Sequence, residues 1–373
     1  MAERELNTEE TIGVVDRVRN LYTHLFGGGF ADLSRTPSEI IHESTHCIVR
    51  HYIPEVPVDP DKRPVLLVPP QGPPATCMDL YRDNSMAAYF MLEGRPTYLV
   101  DYGSVSTKTD QEFGLDFWID DVIPTAVETV SAHNNDAEVM VVGWCLGGIL
   151  ALFTQAAHKD VPIAAVGCVG SPFDFTKLDL YPPVKLLGNI TDGKLESSVI
   201  RVMGGVPGKL NGLAFKFADP VRLLQKPNFV RKATKRPEIL AQLEAVDAMM
   251  DTYEAYPGRS FLQIYRNFVR SSKLKEGRMH LGGERELTLE DVDVPVMNVG
   301  GSADNIFAPM ESVEHLANLV PNAPRAIIKE APGGHMGVMA GPHAKETTWP
   351  YLEQFLEETE AQLDRSFGEP AQP

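Results

Sequence analysis

Six short apolar runs punctuate the chain. "PVLLVPP" begins at Pro64, "PTYLVDYG" at Pro96, "EVMVVGW" at Glu138 and "IAAVGCVGS" at Ile163; after a long gap come "PVMNVGG" at Pro295 and "PRAIIKEAP" at Pro324. Each is nearly all apolar rather than alternating, which predicts strands covered on both faces. Segments of helical spacing separate several of them, over 84–93, 116–132 and 147–158. Strand and helix in turn predict a parallel sheet with helices on both sides. Ahead of that series, "EIIHESTHCIVRHYI" (39–53) reads as the two strands of a hairpin. Residues 8–25 read as a helix, with Ile12, Val15, Val18, Leu21 and Tyr22 at helix-like spacing.

The gap from about 177 to 285 breaks the rhythm. It carries helical patterns such as "RPEILAQLEAVDAMMDTYEAY" and no clear buried strand, so it reads as an insertion over one end of the sheet. The expected organisation is therefore a core in two parts, 1–176 and 286–373, interrupted by a mainly helical cap over 177–285.

Charge narrows the function classes. A net charge of −17 argues against general nucleic-acid binding. Against that background, Arg201 to Arg236 holds nine Lys/Arg and one acidic residue, Asp219. Such a reversal reads either as a solvated helical face or as attraction for an anionic substrate or surface. The four cysteines, Cys47, Cys77, Cys145 and Cys168, form no CxxC pair and show no metal-ligand spacing, so no metal is expected. "MAERELNTEETIG" has neither the basic head nor the apolar middle of a signal peptide. No run approaches the roughly 18 apolar residues of a membrane span. The expectation is a cytoplasmic protein with free thiols.

One thiol sits where chemistry is expected. In "VVGWCLGGIL" (141–150) a strand, then G-x-C-x-G-G, then a helix form the nucleophile-elbow pattern with Cys145 at the nucleophile's position. The turn projects the side chain beyond the sheet edge, so Gly143 and Gly147 must keep crowded space free and Gly148 lets the helix approach. The helix N-terminus favours thiolate. The amide of Leu146 is placed to hold an oxyanion. Partners should follow as acid and then histidine, each after a later strand. Asp304, in "PVMNVGGSADNIFAP", and His335, in "PRAIIKEAPGGHMG", fit that order. His335 would take the thiol proton and Asp304 would orient and charge-stabilise the imidazole. The plainer readings are a buried cysteine in a tight turn, an aspartate in a turn or helix cap, and a loop histidine. Cys168 reads as core, Cys47 as part of the hairpin, Cys77 as a loop residue near the site and Asp79 as a helix cap.

From about Thr36 to Leu356 the chain resembles the polyhydroxyalkanoate synthases, most closely the short class III catalytic subunit. "RTPSEIIHESTHCIVRHYIP" resembles the family's hairpin, "YLVDYG" (98–103) its strand ending in I-D-W-G, and "GWCLGG" (143–148) its lipase-box-like motif. "GSPFDF" (170–175), "GGVPGKLNGLAFKF" (204–217), 265–309 and "APGGHMGVMAG" (331–341) match further stretches. The resemblance implies an α/β-hydrolase fold, a mostly parallel sheet flanked by helices with a helical cap, and a triad of Cys145, Asp304 and His335. It implies polymerisation of hydroxyacyl-CoA thioesters with CoA release, with CoA thioester as substrate and no cofactor. It also implies a second synthase subunit and a polyester granule or lipid-body surface as partners, with no nucleic acid and no transmembrane segment. Pro69, Pro70, Asp79 and Leu80 match the family's oxyanion loop, where Gln71 and Gly72 offer amides beside that of Leu146. The chain departs from the family at Pro73, Pro74 and Ala75, which replace Asn-Lys-aromatic and remove two amide donors, and at Asn305, which replaces a histidine. Two rival readings remain: a capped lipid ester or thioester hydrolase using the same triad, and a non-enzymatic coat or scaffold protein on a storage granule.

Overall fold

The computed structural model describes residues 13–178, 203–217, 230 and 233–368. Eight strands form one sheet. In chain order they are β1 (Ser38–Ser44), β2 (Cys47–Tyr52), β3 (Val65–Val68), β4 (Thr97–Asp101), β5 (Val139–Trp144), β6 (Ile163–Val169), β7 (Val296–Gly301) and β8 (Ala326–Ala331). Their spatial order is β1-β2-β4-β3-β5-β6-β7-β8. The hairpin β1–β2 joins β4 antiparallel, and every later pairing is parallel. The six apolar runs thus became the six strands β3 to β8. Their composition explains why: Leu66, Val68, Val139 and Val141 enter one apolar cluster, and Val65, Leu67, Met140 and Val142 enter the other. Successive side chains point to opposite faces, so a strand buried on both must be apolar throughout.

The helices cover those faces. α2 (Met86–Leu92) starts at Ser85, whose hydroxyl accepts the Ala88 N–H. The run expected over 116–132 spans Leu115 to His133, widening through a π-type turn at Trp118–Val122 before α3 (Ile123–His133). α4 (Leu146–Ala157) follows β5 directly and is almost wholly buried. Between β6 and β7 the described residues include α5 (Gly208–Phe217), α6 (Pro237–Asp251) and a hairpin, Arg278–Gly282 with Arg285–Thr288. α7 (His335–Ala340) follows β8, and α8 (Thr348–Gly368) is the last helix among the described residues. The buried Arg95 guanidinium ties α8 to the sheet through Glu353 and Glu360, at 2.9 and 2.6 Å.

Two expectations change. The first helix, α1, spans Val14–Phe26, and residues 8–12 lie outside the described residues. Its apolar stripe does not face the core: Val15, Val18 and Tyr22 are mostly exposed. α1 docks through polar groups instead, Asn20 donating to the Thr234 carbonyl and His24 pairing with Glu244. Asp79 does not cap a helix. It is buried and accepts both the backbone N–H and the hydroxyl of Thr36, at 3.0 and 2.8 Å. A carboxylate placed there is satisfied across 43 residues of sequence, which local turn logic cannot register. Of the basic stretch 201–236, only Lys209, Lys216, Lys235 and Arg236 fall among the described residues, and Lys216 pairs with Asp251.

Candidate active site

β5 ends at Trp144, and Cys145 turns the chain into α4 with φ +52° and ψ −117°. A non-glycine residue at positive φ is strained, and strain here aims a side chain off the sheet edge. Neighbours hold the turn in place. The Cys145 N–H donates to the Val169 carbonyl at 2.8 Å, and the Ser171 hydroxyl donates to the Cys145 carbonyl at 2.7 Å. The glycines have the roles their positions suggest. A β-carbon at 143 would lie 2.5 Å from the Gly148 Cα; one at 147 would lie 2.7 Å from the Pro69 carbonyl oxygen; one at 148 would lie 2.9 Å from the Cys168 sulfur. No real β-carbon tolerates such distances. Cys145 is partly exposed, whereas Cys47, Cys77 and Cys168 are buried.

The loops after β7 and β8 are sewn together. Ala303 N–H donates to the Gly333 carbonyl and Ser302 N–H to that of Ala331. This brings Asp304 and His335 side by side, with the His335 Nδ1 2.7 Å from Asp304 Oδ2. The other Asp304 oxygen accepts the Phe307 N–H at 3.1 Å. Both residues are buried. Burial alone would raise the Asp304 carboxyl, but the hydrogen bond from His335 and the N–H groups of Ala308 and Phe307 hold it below its ordinary value. Burial alone would lower His335. The charge and hydrogen bond of the Cys145 sulfur, together with Asp304, overcome it and push the imidazole up to about 10. The imidazole is therefore hydrogen-bonded to the carboxylate and lies within the electrostatic reach of the Cys145 sulfur. That arrangement can accept a thiol proton on one side while the other fixes the ring.

The loop after β3 approaches the same turn. Gln71 and Gly72 follow directly on Pro69 and Pro70, and Gly72 adopts φ +97°, a conformation that suits glycine. Leu146 begins α4 immediately after Cys145. The β5–α4 turn and the β3 loop thus place these three residues around one edge of the sheet.

Several further residues meet at the site. The Tyr256 hydroxyl donates to the Gln71 carbonyl at 2.6 Å, and Glu254 N–H to that of Gly72 at 2.7 Å. A β-carbon on Gly72 would lie 2.6 Å from the Asn211 amide. Phe215 stacks on Phe307 at 5.2 Å, and the Phe307 and Trp144 rings flank the His335 imidazole at 5.1 and 5.5 Å. Residues from between β6 and β7 therefore close over the edge where Cys145 sits. Aromatic neighbours at irregular spacing gave no periodic signal that marks them in advance.

A family model described as the alpha/beta hydrolase fold matches residues 92–342. The chain is 24% identical to the poly(3-hydroxyalkanoate) polymerase subunit PhaC of Thiocystis violacea, over 94% of this chain and 96% of that one. It is 23% identical to the subunit of the same name from Synechocystis sp., over 95% and 93%. Among solved structures, a monoacylglycerol lipase of Paleococcus ferrophilus superposes with a TM-score of 0.50 at 16% identity, over 79% of this chain and 96% of that one. The resemblance to polyhydroxyalkanoate polymerase subunits extends over nearly the whole chain, and the shared architecture reaches beyond them to a lipase. On the sheet topology, the strand-to-helix cysteine turn and the family match together, the chain belongs to the α/β-hydrolase fold family.

Proposed function

We propose that the protein is an acyltransferase that polymerises hydroxyacyl-CoA thioesters into polyester through a covalent Cys145 thioester. The observation that carries this reading is the imidazole of His335, bonded to Asp304 at 2.7 Å and packed at 5.5 Å against Trp144, the residue before Cys145, in a chain resembling polyhydroxyalkanoate polymerase subunits over 94% of its length. His335 takes the thiol proton, and the sulfur attacks the thioester carbonyl. Charge on the carbonyl oxygen is met by the amides of Leu146, Gln71 and Gly72. The tetrahedral species collapses, the C–S bond to CoA breaks, and the departing thiolate takes the proton back from His335. Exchange of thioester for thioester is nearly isoenergetic, so loading needs no further driving force. A hydroxyl on a second acyl unit then loses its proton to His335 and attacks the acyl-Cys145 carbonyl. The ester forms downhill and Cys145 is released.

Water must be excluded, or the acyl group leaves as free acid. Residues 177–285 serve as the cap that excludes it, a role supported by the contacts of Tyr256 with Gln71 and of Phe215 with Phe307. The relatives are named as subunits, which supports a second subunit for this chain. Incubation of purified protein with 3-hydroxybutyryl-CoA tests the reading. CoA release with insoluble polyester supports it, soluble acid points to a hydrolase, and no release from any hydroxyacyl-CoA overturns it. Cys145→Ala should abolish release.

A further inference from the structure

Gly170 and Ser171, directly after β6, touch both the histidine and the cysteine turn. Gly170 adopts φ +57°, and a β-carbon there would lie 3.3 Å from Cε1 and 3.4 Å from Nδ1 of His335. The bare glycine lets the backbone lie against the imidazole. Ser171 is fully buried, and its hydroxyl donates to the Cys145 carbonyl at 2.7 Å. In a regular first turn that carbonyl would be served by the Ile149 N–H, but this contact is 3.4 Å long, so the hydroxyl is the closer of its two partners. The loop is itself anchored. The Gly170 N–H donates to the Val299 carbonyl at 2.8 Å. Asn298, fully buried in β7, donates through its side-chain amide to the Ser171 and Val313 carbonyls at 2.9 and 3.2 Å, while its own oxygen has no partner among the described residues. An amide buried with its oxygen unpaired serves through its donors, and one of them holds Ser171.

We propose that Ser171 is a positioning residue for acyl transfer: its hydroxyl sets the angle of the peptide plane between Cys145 and Leu146 and so aims the Leu146 N–H at the acyl oxygen. The proposal rests on the acyl-transfer reading and deepens it by naming what holds the oxyanion donor. The C=O and N–H of one trans peptide unit share a plane and point in opposite directions, so fixing one fixes the other. No peptide bond among the described residues is cis. Cys145, at φ +52° and ψ −117°, lies outside the favoured wells, so nothing intrinsic to the residue keeps its planes where they are. Two hydrogen bonds do so instead. The Val169 carbonyl, accepting the Cys145 N–H at 2.8 Å, fixes the plane before the nucleophile. Ser171 fixes the plane after it. Without the hydroxyl, that plane is free to relax about ψ, and the Leu146 N–H turns with it. A hydrogen bond accepted by the carbonyl also polarises the peptide unit and strengthens its N–H as a donor. Ser171 moves no proton in this role and acts through Leu146.

The test separates a reaction that needs the oxyanion donor from one that does not. p-Nitrophenyl acetate acetylates Cys145 through a tetrahedral oxyanion, and p-nitrophenolate leaves. Iodoacetamide alkylates the same sulfur by direct displacement of iodide, and no oxyanion forms. Cys145 is partly exposed and the other three cysteines are buried, and mass spectrometry places each adduct on Cys145. Outright loss of an oxyanion donor costs about 10²–10³-fold, so Ser171→Ala, which only mis-aims one, should slow acetylation about 10- to 100-fold and leave alkylation within about twofold of the parent. Ser171→Cys fills the same space with a weaker donor, so its acetylation rate should fall between, and it carries the comparison where alanine loosens the fold. Acetylation at the parent's rate in both variants overturns the proposal. So does an equal fall in both reactions, which would place the effect on the sulfur or on the fold. So does a parent whose Cys145 takes no acetyl group. Neither probe is a CoA thioester, so failure to polymerise hydroxyacyl-CoA, read by CoA release, is a separate result.

Discussion

Replacing Gly147 by alanine isolates the geometry of the cysteine turn without touching a reacting group. The added β-carbon would lie 2.7 Å from the carbonyl oxygen of Pro69 and closer still to that of Val68, where real β-carbons keep at least 3.0 Å. Both neighbours are backbone at the end of β3, so no flexible side chain can give way. Either α4 backs off or the loop carrying Gln71 and Gly72 does, by about half an ångström in a close-packed interior. Overpacking of this kind costs about 1–3 kcal/mol of stability. Its kinetic cost is larger, because Leu146 and the β3 loop approach the acyl oxygen from the two parts forced apart. Misplacement of about 1 Å costs about 100-fold in rate, so CoA release should fall by about 10- to 100-fold. Gly337 supplies the control. It lies within α7, two residues beyond His335, and a β-carbon there meets nothing within 4 Å. Gly337→Ala should therefore hold or raise Tm by removing freedom from the unfolded chain. The assay is CoA release from 3-hydroxybutyryl-CoA beside thermal unfolding of both variants. A Gly147→Ala protein with the parent's rate and Tm would refute the close approach of α4 to the β3 loop.

Asp304→Asn removes the carboxylate 2.7 Å from His335 Nδ1, so CoA release should drop about 10³–10⁴-fold while the fold persists. An NMR titration should find the His335 pKa lower than in the parent; an unchanged pKa would show that Asp304 does not hold the ring. The stability contributed by His335 has a defined sign: its pKa is raised from 6.5 to about 10, so the contribution is present in full below pH 6.5 and is lost as pH rises through 10. The difference in urea unfolding free energy between parent and His335→Gln should shrink across that window, and a difference that grows with pH would contradict the assignment. Arg95→Met would leave the buried Glu360 without its cation, while Glu353 keeps Lys62 at 2.8 Å, at a cost of about 3 kcal/mol in urea unfolding. Stability equal to the parent's would show that Arg95 does not hold α8.

What could be read from the chain, and what could not, divides along the range of the interactions involved. The strands β3 to β7 were legible because burial on both faces demands mostly apolar residues, and that demand is written in consecutive letters; β8, expected to be covered on both faces, is instead an edge strand with Ala326, Lys329 and Glu330 exposed. The cysteine turn was legible because its crowding admits only glycine at 143, 147 and 148. Asp304 and His335 were findable from their places after the last two strands, since parallel strands deliver their ends to one edge. α1 shows the limit of periodicity. Its stripe marks an amphipathic helix correctly, yet Val15 and Val18 face outward while Asn20 and His24 make the contacts. Spacing records that two faces differ and says nothing about which neighbour each will meet. Asp79 fails for the same reason, because its partner Thr36 arrives from far away in sequence. Tyr256, Asn211 and Phe215 extend the argument to the site itself. Each meets the β3 loop or the histidine's neighbours from the insertion, and none sits in a pattern that its own segment explains. The reacting groups lie at strand ends, where topology constrains them. The residues that close over that edge lie where two distant segments touch, and there only coordinates connect Gln71 to Tyr256.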